Sequence, residues 1–212
     1  MRPQSTQYGL PLFLEDASGL LVKTTFTDLH DRLQLVLKAT SASGPNQLQL
    51  ALSLSTSRNA KSSPDCIIDL PQRLERGTLS YGAGPALSIE SYLRRVSGLS
   101  SRSPNRRFTA SDSHNYTWSM TQSNPRDSST ISWVCTNSQG AVVAEYATND
   151  PEVTGSRCAA VLTIEEAQNS MVLGEYSMVS PQVSIRSNYI SCVVVELLTT
   201  LTIVRYIAQT SS

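Results

Sequence analysis

Near its C-terminus the chain runs "SCVVVELLTTLTIVRYI" (191–207), which is apolar on nearly every side of a helical wheel. A surface helix keeps one polar face, so a segment apolar all round must be covered by something. Its β-branched residues also suit a central strand. Glu196 and the threonine and serine hydroxyls ahead of Arg205 leave it short of the ~20 mostly apolar residues that a membrane span needs. A tail anchor is therefore the competing reading. If the segment is a helix, strands enclosing it are the economical cover.

The rest of the chain supplies those strands. "LQLVLKATS" places Leu33, Leu35 and Leu37 on one face, and "QLQLALSLS" does the same with Leu48, Leu50, Leu52 and Leu54. A period of two marks a strand with one buried face. "GLLVKTTFT" follows the same rule, with Leu20, Val22 and Phe26 predicted on one side. "CIIDL", "GTLSYG", "RRFTA", "YTWSM", "TISWVCT", "AVVAEYA" and "CAAVLTI" are short and rich in β-branched or aromatic residues. Turn residues separate them in "SGPN", "SDSHN", "NSQG" and "TNDPEVTG". Roughly ten strands without alternating helices predict a mainly β protein, an antiparallel barrel or sandwich. "SIESYLRR" (88–95) breaks the pattern with Ile89, Tyr92 and Leu93 at helical spacing and Ser88 as its cap, which predicts one short surface helix. The Ser-rich stretches 55–66 and 121–130 read as flexible loops.

The order "GTLSYGAGPALSIESYLRR", "RRFTASDSHNYTWSM", "ISWVCTNSQGAVVAEY" resembles a family of uncharacterised domains abundant in basidiomycete fungi. In that family an Arg-x-Phe-Thr strand, a tight turn and a Tyr-x-Trp strand follow a short helix. A later strand matches Val143, Ala144, Glu145 and Tyr146, and the end is an apolar segment with a basic residue, here Arg205. The likeness spans roughly residues 10–207 and is strongest over 77–148. It departs at Asp112–Ser113, where the family turn holds Asp-Gly, and at 165–187, a longer connection readable as ordered loop or disorder. The resemblance implies a tubby-like architecture, an antiparallel β-barrel of about ten to twelve strands around a buried C-terminal helix. It implies one domain over 10–208, with tails at 1–9 and 209–212. Relatives of that architecture include phosphoinositide-binding and membrane-associated proteins, a likeness of fold that does not settle function.

Composition narrows the function classes. The 212 residues hold 17 basic and 17 acidic side chains, and this zero balance argues against a dedicated nucleic-acid binder. The start, "MRPQSTQYGLPLFLEDASG", lacks an apolar run of signal-peptide length, which predicts a cytoplasmic protein. Cys66, Cys135, Cys158 and Cys192 show no CxxC spacing and read as free, apolar thiols. The "NYT" sequon at 115–117 has no use in such a compartment.

Candidate sites are few. Arg94, Arg95, Arg102, Arg106 and Arg107 occur with no acid between Glu90 and Asp112. Guanidinium forks suit phosphate, so these five are the candidate anion or lipid site, against the plainer reading of a solvated linker. Trp118 and Trp133 on neighbouring strands suit a stacking platform or, more commonly, a core pair. His30 and His114 lack a nucleophile motif and read as surface residues. No metal-ligand spacing occurs, and "YGAGPA" lacks the ending of a phosphate loop. Glu196, amid apolar residues, must reach the barrel mouth, pair with an arginine, or be neutral. These readings predict no catalytic, cofactor or metal site. They favour a non-enzymatic intracellular binding or scaffold domain, with an anionic-lipid domain as the alternative; the partner is an anionic lipid or a protein.

Overall fold

The computed structural model describes residues 12–28, 33–40, 47–56, 59–60, 63–71, 76–96, 103–122, 131–148, 158–165 and 183–210. Its first half holds β1 (Leu12–Asp16), β2 (Lys23–Asp28), β3 (Gln34–Thr40), β4 (Gln47–Thr56), β5 (Asn59–Ala60), β6 (Cys66–Pro71), β7 (Thr78–Tyr81) and β8 (Leu87–Ser88). A one-turn helix, α1 (Ile89–Tyr92), leads to β9 (Arg94–Arg95), β10 (Arg106–Thr109), β11 (Asn115–Gln122), β12 (Ile131–Asn137), β13 (Val142–Thr148) and β14 (Ala160–Ile164). The chain ends in a long helix, α2 (Val183–Thr210).

All 14 strands belong to one antiparallel sheet, in the order β8-β7-β6-β4-β3-β2-β1-β14-β13-β12-β11-β10-β9, with β5 paired only to β4. The two halves join where β1 pairs with β14, Leu12 opposite Ile164 and Asp16 opposite Ala160. Alternation sets which side is inward. Leu35 and Leu37 of β3 and Leu50, Leu52 and Leu54 of β4 are buried, and Leu33 and Leu48 pack partly against them. The mostly apolar inward face encloses α2.

That enclosure is visible side chain by side chain. Residues 193–205 of α2 are all buried, on every side of the helix. Trp118 of β11 donates Nε1–H to Thr200 Oγ1 at 2.9 Å, Ser111 beyond β10 bonds Glu196, Arg205 reaches Gly19 O beyond β1 at 2.5 Å, and the Tyr206 hydroxyl points at Pro71 O of β6 at 3.5 Å. Partners so far apart in the sheet order require the sheet to curl round the helix. The buried threonines are accommodated by bonding back along it: Thr200 Oγ1 donates to Glu196 O at 2.8 Å and Thr202 Oγ1 to Leu198 O at 2.8 Å. Val193–Thr210 is long and apolar enough to cross a membrane, but 78% of it is already buried inside the protein.

Several expectations need correction. The expected barrel of ten to twelve strands is instead a 14-stranded sheet whose edges, β8 and β9, do not pair with each other. Those edges have two residues each, and α1 connects them in the chain, with Ile89 and Leu93 buried. The helix expected over 88–95 is only this single turn. Leu93 leaves helical geometry (φ −103°, ψ 81°), Arg94 and Arg95 join the sheet, and Ser88 ends β8 without a side-chain cap. Leu20 and Val22 do not share the inward face with Phe26; they precede β2 and are exposed, and Leu21 is buried in their place. The stretches expected as loops contribute to strands: Thr56 ends β4, Asn59–Ala60 form β5, and Thr121–Gln122 end β11. Of the long connection, 166–182 lies outside the described residues, and 183–187 already belongs to α2.

Candidate functional site

The structure brings four of the five candidate arginines onto two adjacent strands at the sheet's edge. In the antiparallel pair β9–β10, Arg95 stands opposite Arg106 and Arg94 opposite Arg107. Cross-strand partners share a face, so the four separate into two like-charged pairs. Arg102 lies outside the described residues.

The pairs differ in surroundings. Arg106 points inward with Phe108 and is buried; its Nη1 donates to Ser103 O at 2.7 Å and to Asn105 O at 2.8 Å. Burial, with the charge of Arg95 added, lowers its pKa below the ordinary arginine value. Arg107 and Arg94 are exposed and line a shallow cavity of about 280 Å³ with Ser91, Tyr92, Phe108, Thr109 and Asn115. Arg94 Nε donates to Ser91 O at 3.2 Å, which steadies the guanidinium at the rim. Among the described residues no carboxylate lies within 4.0 Å of any of these four guanidinium groups. Like charges facing each other across two strands destabilise the pairing unless a counter-charge arrives.

Tyr92 links that cavity to the interior. Its ring stands 6.0 Å from Phe108 and its hydroxyl faces Glu196 Oε1 at 3.5 Å. Ser111 donates to Glu196 Oε2 from its backbone N–H at 2.9 Å and from its hydroxyl at 3.0 Å. No arginine pairs with this carboxylate among the described residues, which removes that one of the three expectations. Burial raises its pKa and Asp112 adds to the rise, while the bonds from Ser111 and Tyr92 pull the other way. Deeper in, the buried Tyr81 hydroxyl lies beside Tyr92 and the buried Thr199 hydroxyl beside the Cys66 thiol.

A second polar centre was missed by sequence reasoning. Asp16 is fully buried. Its Oδ1 accepts from Thr24 Oγ1, from Gly19 N at 2.9 Å and from Ser18 N at 3.2 Å. Its Oδ2 accepts the Tyr146 hydroxyl at 2.9 Å and faces Arg205 Nη1 at 3.7 Å. The Arg205 guanidinium lies 4.5 Å from the centre of the Tyr146 ring. The signal was present in "LFLED", whose period of two puts Asp16 inward with Leu12 and Leu14.

The remaining candidates belong to the framework. Trp118 and Trp133 are buried core residues. His114 is exposed on the β10–β11 turn, 3.4 Å from Asp112 Oδ2, and His30 lies outside the described residues. Cys66, Cys135 and Cys158 are buried and form no disulfide; burial pushes the Cys66 thiol up to about 12 and raises Cys135 as well, so neither of these two is a ready nucleophile. No group of three metal-ligating side chains occurs among the described residues.

No family model, curated protein or solved structure matches this chain.

Proposed function

We infer that this is a non-enzymatic binding domain with a tubby-like plan, and that its ligand is a phosphate-bearing anion, such as a lipid headgroup, taken at the β9–β10 edge. One observation carries the reading: Arg94 faces Arg107 and Arg95 faces Arg106 across one strand pair, with no carboxylate beside them among the described residues. Arrangements of this kind gain from an incoming anion, and the guanidinium fork matches phosphate geometry. The cavity beside Arg94 and Arg107 is shallow, which suits a headgroup more than an enclosed small molecule. Burial raises the Cys66 and Cys135 thiols, so neither offers a ready thiolate, which is in keeping with a binding domain. An intracellular location follows from the same reading, since phosphoinositides and phosphatidylserine face the cytoplasm.

Vesicle sedimentation tests it. At low salt the protein is expected to sediment with phosphatidylcholine vesicles containing phosphatidylserine or a phosphoinositide, and to stay in solution with phosphatidylcholine alone. Arg94→Ala/Arg107→Ala should weaken sedimentation at least about tenfold, with a steep loss on adding salt in the wild type. Wild-type protein that ignores both charged vesicles would end this reading.

A further inference from the structure

The β1–β2 loop displays an unusual surface. Leu20 is 57% exposed and Val22 41% exposed, although both belong to an apolar run. Leu21 between them is buried and acts as the anchor. Just behind the tip, Lys23 of β2 stands directly opposite Lys38 of β3. Both lysines are exposed, and neither has a carboxylate within 4.0 Å among the described residues. Two exposed aliphatics ahead of two cations with no carboxylate partner among the described residues form a surface that suits an apolar layer bordered by negative charge.

The tip is also held in shape from beneath. Asp16 Oδ1 accepts the amides of Ser18 and Gly19, and Arg205, at the end of α2, bonds Gly19 O. Gly19 takes a left-handed φ of +66°, and a Cβ there would come within 3.1 Å of Ala159 Cβ, so glycine suits the position on both counts. Ser18 Oγ–H donates to Lys23 O at 2.8 Å and closes the loop's base. These bonds brace the loop on which Leu20 and Val22 stand exposed.

We propose that the β1–β2 tip is a membrane-insertion element, Leu20 and Val22 entering the acyl boundary of an anionic bilayer while Lys23 and Lys38 contact its headgroups. The charge arrangement selects the partner: apolar surface alone would suit any greasy patch, whereas the lysine pair calls for a negative one. The strand registers carry the tip's end of the sheet across to the far edge, where Arg95 ends β9. The inference rests on the anionic-headgroup reading for its partner, but on different residues.

The two are separable by experiment. A Leu20→Trp variant is mixed with phosphatidylcholine–phosphatidylserine vesicles whose acyl chains carry bromine, which quenches indoles that penetrate. Trp118 and Trp133 are buried and supply a constant background. Val142→Trp, exposed at the opposite end of the sheet, is the control. Quenching of Leu20→Trp alone is expected. Leu20→Ser/Val22→Ser should lower vesicle partitioning about tenfold while leaving inorganic pyrophosphate binding at the arginine edge unchanged. An unquenched Leu20→Trp overturns the insertion element, whatever the arginines do. Wild-type protein that ignores pyrophosphate, with Leu20→Trp still quenched, overturns the arginine edge and leaves the tip standing.

Discussion

Asp16 accepts three hydrogen bonds at one carboxylate oxygen, one at the other, and faces Arg205 there. A buried charge is tolerated only with such complete pairing. Asp16→Asn should therefore cost about 3 kcal/mol in urea unfolding, chiefly because the buried Arg205 loses its counter-charge. Adding Arg205→Met should return part of that loss, and a double variant less stable than Asp16→Asn would show that the pair itself is strongly stabilising. Glu196 behaves oppositely. Its carboxyl pKa is raised in the folded protein, so the folded state holds this proton more tightly than the unfolded chain. Stability from this site is full below the ordinary carboxylate pKa and falls as pH rises through the raised value. Glu196→Gln, which can still accept from Ser111, should flatten that decline and be at least as stable as wild type at neutral pH, read as melting temperature against pH. Ser113 is a smaller case. It holds φ +65° in the turn between Ala110 and His114, a conformation costing a side-chain-bearing residue about 1 kcal/mol. Ser113→Gly should raise stability by up to about 1 kcal/mol.

Among the elements, α2 answers how a helix dotted with threonines can be buried on all sides. Thr200 and Thr202 satisfy themselves on the preceding turn, and Thr200 still accepts the Trp118 indole. Thr200→Val keeps the shape but strands that indole N–H, for an expected loss of about 1–2 kcal/mol on thermal unfolding. The helix's burial was legible because its apolar residues ignore the 3.6-residue period of a surface helix. Most strands were equally legible, since Leu35, Leu37 and Leu50–Leu54 alternate as one-sided strands must. The misreadings have local causes. Ser88–Arg95 has helical spacing for one turn only, and its arginines are claimed by pairing with Arg106 and Arg107, a long-range event no short window contains. Leu20 and Val22 obey the strand period but sit before the strand begins, on a loop whose shape is dictated by Asp16 and Arg205 at opposite ends of the chain. The candidate arginines were visible as a run without acids; their division into two facing pairs came only with the register.

For the molecule as a whole, one arrangement supports everything else. If the sheet curls round α2, then Glu196 meets Ser111, Arg205 meets Asp16, and the arginine edge and the β1–β2 tip are presented outward by a rigid frame. If α2 lay on an outer surface, none of these contacts would hold and the apolar helix would be open to solvent or bilayer. Native-state hydrogen exchange of the α2 amides decides between these directly. The account predicts that amides of residues 194–207 exchange only through global unfolding, with protection matching the stability measured by denaturant and unchanged by anionic vesicles. Exchange of those amides by local opening, far faster than the strands around them, would contradict it.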